Sequence, residues 1–182
     1  MGAATAAAVA VNHPEAACCV LLEDPPWFSE DSPWYRNRAG TSPEERQQVI
    51  EQRRAEIMER KRQSRKEIMA FGREQSPTWD EIEFGPWADS KRQLSPSVIE
   101  TLAAPRRHWS EIVPQIACPA LLITADSDRG SIVTPEIAQQ AAAMNPLIEL
   151  AHIPGAGHNI RREQFQPFIE AVKAFLDEHY TS

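Results

Sequence analysis

The sequence has little of what marks secreted and membrane-spanning proteins. Only three cysteines occur among its 182 residues, and two of them are adjacent within an apolar run, so they do not build a disulfide framework. No apolar run approaches the roughly 18 residues that a membrane-spanning helix needs. These absences predict a cytoplasmic protein that has no membrane partner.

Basic residues are fewer than acidic residues in this sequence. The net charge of −7 argues against nonspecific binding to nucleic acid, because that binding depends on basic surfaces. The one basic run, residues 53–66, is interleaved with glutamates at spacings that make ordinary pairs on a helix surface. Neither the cysteine and histidine spacing of a zinc site nor a glycine-rich phosphate loop is present. We therefore expect no nucleic-acid partner, no metal and no cofactor, and no oligomeric state is predicted.

Two strand-like runs in the second half of the chain lead into residues that can do acid–base chemistry. Residues 118–124 are apolar and begin with Cys-Pro, which is typical of a buried strand, and Asp126 and Asp128 follow them. Residues 147–153 form the second run, which leads through a loop with glycines at 155 and 157 to His158. A carboxylate after one strand and a histidine after the next are two members of a nucleophile, acid and base set. The nucleophile is missing from this pattern.

This order of acid and then histidine resembles that of the α/β-hydrolases, whose triad runs nucleophile, acid, histidine along the chain. Residues 109–123 are similar to the family's approach to the strand that carries the acid, and residues 154–158 are similar to its catalytic histidine loop. The family's closing amphipathic helix is matched by apolar residues at helical spacing, namely Phe165, Phe168, Ile169, Val172, Phe175 and Leu176. Residues 1–24 are similar to the part of the family that follows the nucleophile.

The resemblance at the amino terminus implies where the nucleophile lies. In the family it occupies a Gly-x-Ser-x-Gly turn, and the next backbone N–H faces the oxyanion. Met1-Gly2 resembles the last two positions of that turn, so the backbone of Met1 would contribute to the oxyanion hole and the nucleophile would precede it. A serine there implies ester, lactone or amide hydrolysis, and an aspartate implies epoxide or haloalkane hydrolysis; serine is the broader class. We therefore expect this chain to be a truncated part of a longer enzyme.

The resemblance also implies the architecture, a partial α/β-hydrolase fold with the last three parallel strands, their flanking helices and an inserted helical cap. The core would comprise residues 1–25 and 109–182, and the cap residues 26–108. One helix of the cap has a specific start signal, an N-cap Ser42 with Pro43 at the first helical position and Glu45 at the third. A gap in its apolar stripe between Met58 and Ile68 marks a point where it could break.

The triad residues follow from the same resemblance. His158 takes the role of general base, on a loop whose glycines allow a tight turn. The acid most often lies at the position matched by Asp128, although a loop that is longer than usual keeps Asp126 as an alternative. Asp24 is a third candidate, because some family members supply the acid from the strand before the cap. His152 lies inside the second strand and is interpreted as structural or surface-exposed.

A cap excludes water and shapes the substrate pocket, so the aromatic residues near it are candidates for the pocket lining. Trp27 and Phe28, directly after the first strand, and Trp34 are the predicted substrate-binding residues. The competing interpretation is that such aromatics only hold a small helical cap together. The function implied is hydrolysis of a small-molecule ester, lactone or amide. The alternative is a non-catalytic remnant or interaction module of the same fold.

Overall fold

The computed structural model describes residues 2–29, 32, 42–103 and 107–180, with the backbone alone at 101–103. Residues 2–29, 32 and 107–180 form one compact unit that contains the sheet, and residues 42–103 form a second, helical unit. The junctions near residues 33–41 and 104–106 lie outside the described residues. The division into a core and a cap over residues 26–108 stays a prediction.

The described residues contain three strands and nine α-helices, connected in places by short 3-10 turns. In chain order the elements are α1 (Gly2–Asn12), β1 (Val20–Glu23), α2 (Pro43–Arg62), α3 (Arg65–Gln75), α4 (Glu81–Gln93), α5 (Val98–Ala103), α6 (Trp109–Ile112), β2 (Ala120–Ala125), α7 (Pro135–Met144), β3 (Ile148–Ile153), α8 (Ile160–Glu163) and α9 (Phe165–His179). Among these helices, none combines the length and the apolar character that crossing a bilayer requires.

The sheet of the first unit is parallel, in the order β1, β2, β3. Val20 pairs with Ala120, and Ala120 pairs in turn with Ile148, so the carboxyl ends of the three strands lie on the same edge. All six residues of the central strand β2 are buried. This is the pattern of a strand with helices on both faces, and it explains the unbroken apolar run in the sequence.

Alternate residues of β2 enter two separate cores, because successive side chains of a strand point to opposite faces. Leu122 packs in the core that also contains Ala7 of α1 and Ala141 of α7. On the other face, Ile123 packs in the core that contains Phe175 of α9. The closing amphipathic helix and the two strands predicted from the sequence are therefore present.

Helix α1 packs against the strand that follows it, β1. Only a short connection joins α1 to β1, and the buried Ala7 and Ala10 of α1 share a core with Leu22 of β1. A helix that packs on the next strand through a short connection runs antiparallel to it. We therefore expect Gly2 to lie toward the end of the sheet where β1 finishes.

The helical unit begins as its sequence predicts. Ser42 accepts the N–H of Glu45 on its hydroxyl at 3.1 Å and donates its own N–H to the Glu45 carboxylate at 2.8 Å, which is a capping box. The chain leaves helical geometry after Arg62 and starts α3 with a second capping box, formed by Ser64 and Glu67. The predicted break between Met58 and Ile68 is confirmed at this point.

Aromatic residues of the helical unit pack on one another. Trp79 stacks on Phe84 with ring centroids 5.9 Å apart and meets Trp87 edge-on at 6.1 Å. At Gly72 an added Cβ would lie 2.8 Å from the Trp87 ring, so the helices can approach closely only because this residue is glycine. These contacts favour a packing role for Trp79 and Trp87.

We predict that Leu122→Ala lowers the free energy of unfolding by about 2–5 kcal/mol, because it opens a cavity in a close-packed core. Leu150 is the matched control, since it pairs with Leu122 in the sheet register. Its side chain is 44% exposed whereas Leu122 is 0% exposed, so Leu150→Ala should cost far less. Urea unfolding followed by tryptophan fluorescence measures the unfolding free energy of both variants. Equal losses would contradict the buried position of Leu122.

Candidate active site

His158 and Asp24 form a hydrogen-bonded pair at the carboxyl edge of the sheet. Nδ1 of His158 lies 2.7 Å from Oδ2 of Asp24. The histidine side chain is 48% exposed, whereas the aspartate side chain is 0% exposed. One partner is therefore open to solvent and the other is fixed inside the protein, as a base supported by a buried acid must be.

The Asp24 carboxylate is held by donors from the loop after β2. Oδ1 accepts the hydroxyl of Ser131 at 2.9 Å and the backbone N–H of Val133 at 2.9 Å. The N–H of Ile132 points between the two oxygens, 3.0 Å from Oδ1 and 2.9 Å from Oδ2. These donors give the buried carboxylate the hydrogen bonds that it would otherwise lack away from water.

The backbone at the end of β1 directs Asp24 toward these donors. Its N–H still pairs with the carbonyl of Ile123, so the residue continues the sheet, but its φ of 39° is left-handed. Aspartate tolerates this conformation better than most residues, at a cost of order 1 kcal/mol or more. The hydrogen bonds of its carboxylate offset that cost.

Hydrogen bonds fix the backbone of the loop on both sides of His158. The carboxylate of Glu163 accepts the N–H of Gly157 at 3.0 Å and that of Asn159 at 3.3 Å. A Cβ at position 157 would lie 2.3 Å from the carbonyl oxygen of Arg129, so only glycine fits there. Glu163 and Gly157 thus set the position of the backbone from which His158 projects.

The pairing determines which nitrogen of His158 can act as a base. A carboxylate oxygen only accepts, so Nδ1 carries the proton and donates it to Asp24. The neutral ring then has its lone pair on Nε2, which can take a proton from a nucleophile or from water. When it does so, the Asp24 charge stabilises the imidazolium that forms.

The two acids that the sequence ranked first lie elsewhere. Asp126 directs its carboxylate to the N–H of Gly155 at 2.7 Å and to Nε2 of His152 at 3.1 Å. Asp128 is exposed, in the 3-10 turn Ser127–Arg129. The structure thus brings Asp24 to His158, and its geometry favours the candidate that sequence reasoning placed third.

Of the predicted substrate-binding residues, Trp27 and Phe28 follow Asp24 closely in the sequence. Trp27 is 3% exposed and stacks on Trp109 with ring centroids 5.9 Å apart, which favours packing over ligand contact. The carbonyl of Phe28 accepts the indole N–H of Trp109 at 3.0 Å. Trp34, and Met1 with its predicted oxyanion contact, lie outside the described residues.

Four residues of the site were missed by sequence reasoning: Ser131, Ile132, Val133 and Glu163. Two of them act through backbone N–H groups, which every residue except proline possesses, so no side-chain pattern reveals them. Glu163 lies five residues after His158, a spacing with no recognised signature. For Ser131, its place in the loop between β2 and the Thr134-Pro135 start of α7 was the one available signal.

The cysteines do not supply a nucleophile to this pair. Cys18 and Cys19 come just before β1, and Cys118 comes just before β2, so they lie at the opposite edge of the parallel sheet. Burial raises the pKa of the Cys118 thiol. Burial and a hydrogen bond to Cys18 raise the pKa of Cys19. Both thiols stay protonated at neutral pH, and a protonated thiol is a poor nucleophile.

Elsewhere in the first unit, three potential metal-ligand atoms lie within 4.8 Å of one another. They belong to Glu149, Glu178 and His179. Nε2 of His179 is hydrogen-bonded to the Glu149 carboxylate. Exposed acidic groups commonly cluster in this way without an ion, and nothing else at this cluster indicates a ligand.

A sheet with a histidine and acid pair at its carboxyl edge is the arrangement of the α/β-hydrolases. The model of the alpha/beta hydrolase family matches residues 1–171, so the chain belongs to that family. No curated protein sequence gives a significant match to the chain.

Solved structures with the same fold include several enzymes. E-2-(acetamidomethylene)succinate hydrolase is 14% identical with a TM-score of 0.70, over 97% of this chain and 63% of that one. MenH from S. aureus is 19% identical with a TM-score of 0.66, over 98% of this chain and 66% of that one. A thermophilic esterase from Thermogutta terrifontis, with malate bound, is 24% identical with a TM-score of 0.57, over 99% of this chain and 63% of that one.

At these identities the likeness shows the fold alone, and it confirms the predicted partial α/β-hydrolase fold. The chain spans 63–66% of the length of these three structures.

We predict that Asp24→Ala destabilises the first unit by about 3 kcal/mol or more. It leaves the donors of Ser131, Ile132 and Val133 without their acceptor, and each buried unpaired donor costs about 1–3 kcal/mol. Asp128→Ala is the matched control and should change stability by about 0.5 kcal/mol or less, because that side chain is exposed. The two values are compared by chemical denaturation. Similar midpoints would contradict the hydrogen bonds from Ser131, Ile132 and Val133 to Asp24.

Proposed function

We propose that this chain is the carboxyl-terminal part of a hydrolase that acts on a small-molecule ester, lactone or amide through a nucleophile, acid and histidine triad. His158 is the general base and Asp24 is the acid. The observation that carries the proposal is the 2.7 Å contact between Nδ1 of the half-exposed His158 and the fully buried Asp24 carboxylate. The helical unit as a cap and the cytoplasmic location stay predictions.

The proposed reaction begins with proton transfer. Nε2 of His158 takes the proton of the nucleophile as the nucleophile attacks the substrate carbonyl, and it later returns that proton to the leaving group. Asp24 keeps the ring in the required tautomer and stabilises its positive charge. This step requires the nucleophile to lie within hydrogen-bonding distance of Nε2.

The amino end of α1 suits the oxyanion that forms in this step. The first N–H groups of a helix have no partner within the helix, and the helix dipole makes that end positive. Because α1 starts at Gly2 and packs on β1, an antiparallel course of the helix would bring its first turn toward the edge of the sheet that carries Asp24. We propose that the backbone N–H of Met1 is one oxyanion donor, as the family resemblance implies.

The nucleophile is proposed to lie in a segment that precedes Met1. The chain accounts for less than two thirds of the related structures, so they contain further chain in which such a segment can lie. Serine is preferred to aspartate because related structures include an esterase and E-2-(acetamidomethylene)succinate hydrolase. Phe28 remains the candidate for substrate contact, since it is only partly buried and directly follows Trp27.

We expect the coding sequence upstream of the Met1 codon to continue in the same frame and to encode Gly-x-Ser or Gly-x-Asp just before it. The family's nucleophile turn requires this pattern next to Met1-Gly2. Sequencing of the genomic region and of the transcript decides the matter. An in-frame stop codon directly before Met1 would instead favour the non-catalytic remnant or interaction module.

In the enzyme that includes this upstream segment, His158→Ala should lower kcat/KM by about 10²–10⁴-fold, because the base is lost. Asp24→Asn should approach that loss, since the amide can present an N–H to Nδ1 and favour the wrong tautomer. Asp128→Asn is the control and should retain nearly normal activity. Esterase assays with a panel of acyl substrates supply the rates, with circular dichroism as the test of folding. Full activity of the His158→Ala enzyme would refute the assigned base.

A further inference from the structure

Asp126 connects the end of β2 to the loop that carries His158. Its carboxylate Oδ2 accepts the N–H of Gly155 at 2.7 Å, and its own N–H donates to the carbonyl of Ala156 at 3.0 Å. Its Oδ1 lies 3.1 Å from Nε2 of His152, whose Nδ1 lies 3.3 Å from the Thr124 hydroxyl. Three of its polar groups therefore fix residues 152–156, just before the catalytic loop residue.

The same residue also fixes the loop that holds Asp24. The carbonyl of Asp126 accepts the N–H of Arg129 at 3.1 Å and that of Ser131 at 3.2 Å. The hydroxyl of Ser131 in turn donates to Oδ1 of Asp24. Asp126 is thus bonded on one side to the base loop and on the other side to the residues that cradle the acid.

We propose that Asp126 is a positioning residue that sets the distance and angle between His158 and Asp24, with His152 as its side-chain partner. This inference rests on the proposed roles of His158 and Asp24. The carboxylate oxygens of Asp126 bond Gly155 and His152, so the side chain acts on the pair through the His158 loop, whereas the link to the Ser131 loop is made by the backbone carbonyl and is kept in any side-chain variant.

The physical reason is that a base and its acid tolerate little displacement. A shift of about 1 Å in a catalytic group can cost about 100-fold in rate, although no contact with substrate is lost. The His158 loop needs external support because Gly155 has a left-handed φ of 80° and Gly157 has no side chain to pack. A hydrogen bond from a backbone N–H to a charged carboxylate is stronger than one to a neutral acceptor.

The variants that separate positioning from acid catalysis are Asp126→Ala and Asp126→Asn. Alanine removes both side-chain contacts. Asparagine keeps an oxygen that can accept the Gly155 N–H and an N–H that can be donated to His152, so a positioning role is rescued. A catalytic acid is not rescued, because the asparagine side chain carries no charge. Asp128→Ala is the control, two residues away and exposed.

The first readout is the ring of His158 in the 182-residue chain, which requires no turnover. Long-range ¹H–¹⁵N spectra report the tautomer, and the Nδ1–H proton bonded to Asp24 should appear far downfield in the unmodified chain. His158→Gln assigns this signal, and Asp24→Asn should remove it. We expect Asp126→Ala to broaden or shift it and to give a mixture of tautomers, while Asp126→Asn and Asp128→Ala leave it in place.

The second readout is kinetic, in the enzyme with its upstream segment. Asp126→Ala should lower kcat by about 10–100-fold with little change in KM, and Asp126→Asn should recover most of this loss. A normal downfield signal in Asp126→Ala would overturn the positioning role and leave the His158 and Asp24 pair intact. Equal loss of the signal in Asp126→Ala and Asp126→Asn would overturn it as well, since the charge would then be what matters.

Two further outcomes are decisive. Global unfolding of Asp126→Ala, seen by circular dichroism, would mean that Asp126 supports the whole unit rather than the pair, against this inference. Absence of the Nδ1–H signal from the unmodified folded chain would refute the His158 and Asp24 pair itself, and the inference with it. A failure of the proposed function is in this way distinguished from a failure of the positioning role.

Discussion

The burial of one carboxylate organises this structure. Asp24 has almost no contact with water, so its carboxylate oxygens depend on the surrounding protein donors for their hydrogen bonds. Those donors come from the loop after β2 and from the loop after β3, which brings segments far apart in the sequence to one point. The left-handed backbone of Asp24 is tolerated because these hydrogen bonds exist. Without them the energetic cost of that backbone conformation would not be offset.

Two aspartates, Asp24 and Asp126, differ in their surroundings. Asp24 and Asp126 each follow a strand at the same edge of the sheet, and each contacts a histidine. The Asp24 side chain is 0% exposed and meets a histidine on a loop, whereas the Asp126 side chain is 28% exposed and meets a histidine inside a strand. A ring on a loop can project toward a substrate, but the ring of His152 starts from a backbone that is fixed in the sheet. Similar chemical groups therefore stand in different surroundings.

Much of the fold could be predicted from the sequence because it depends on apolar patterns. The buried run of β2, the amphipathic α9 and the capping box at Ser42 each carry a signal within a few residues. The start of α4 is less clear from the sequence, because Ser76-Pro77 is also a cap signal, but the helix begins after Asp80, whose side chain accepts the N–H of Ile82. Ser76 and Asp80 are both suitable N-cap residues, and the sequence alone does not show which of them starts the helix. The packing of Trp79, which lies between them, is needed to decide.

The site was less predictable than the fold. The loop of His158 could be recognised from its glycines, but the choice among Asp24, Asp126 and Asp128 depends on the path of the backbone after β2. That path is decided by hydrogen bonds from the N–H groups of Ile132 and Val133, and these groups leave no trace in the sequence. The longer loop after β2 is visible in the sequence, but the contact between His158 and Asp24 can be recognised only from three-dimensional distances.

The two halves of the pair are 134 residues apart in the chain. On a ribosome that adds about 5–20 residues per second, the amino-terminal half would wait several seconds for its partner. During that time the Asp24 segment lacks the histidine, the Ser131 hydroxyl and the neighbouring strand that later enclose it. The helical unit, by contrast, can close its local contacts, such as the Ser42 and Glu45 box, as soon as it emerges. A contact of such high sequence separation forms late, so His158 reaches Asp24 only after all the residues between them have been synthesised.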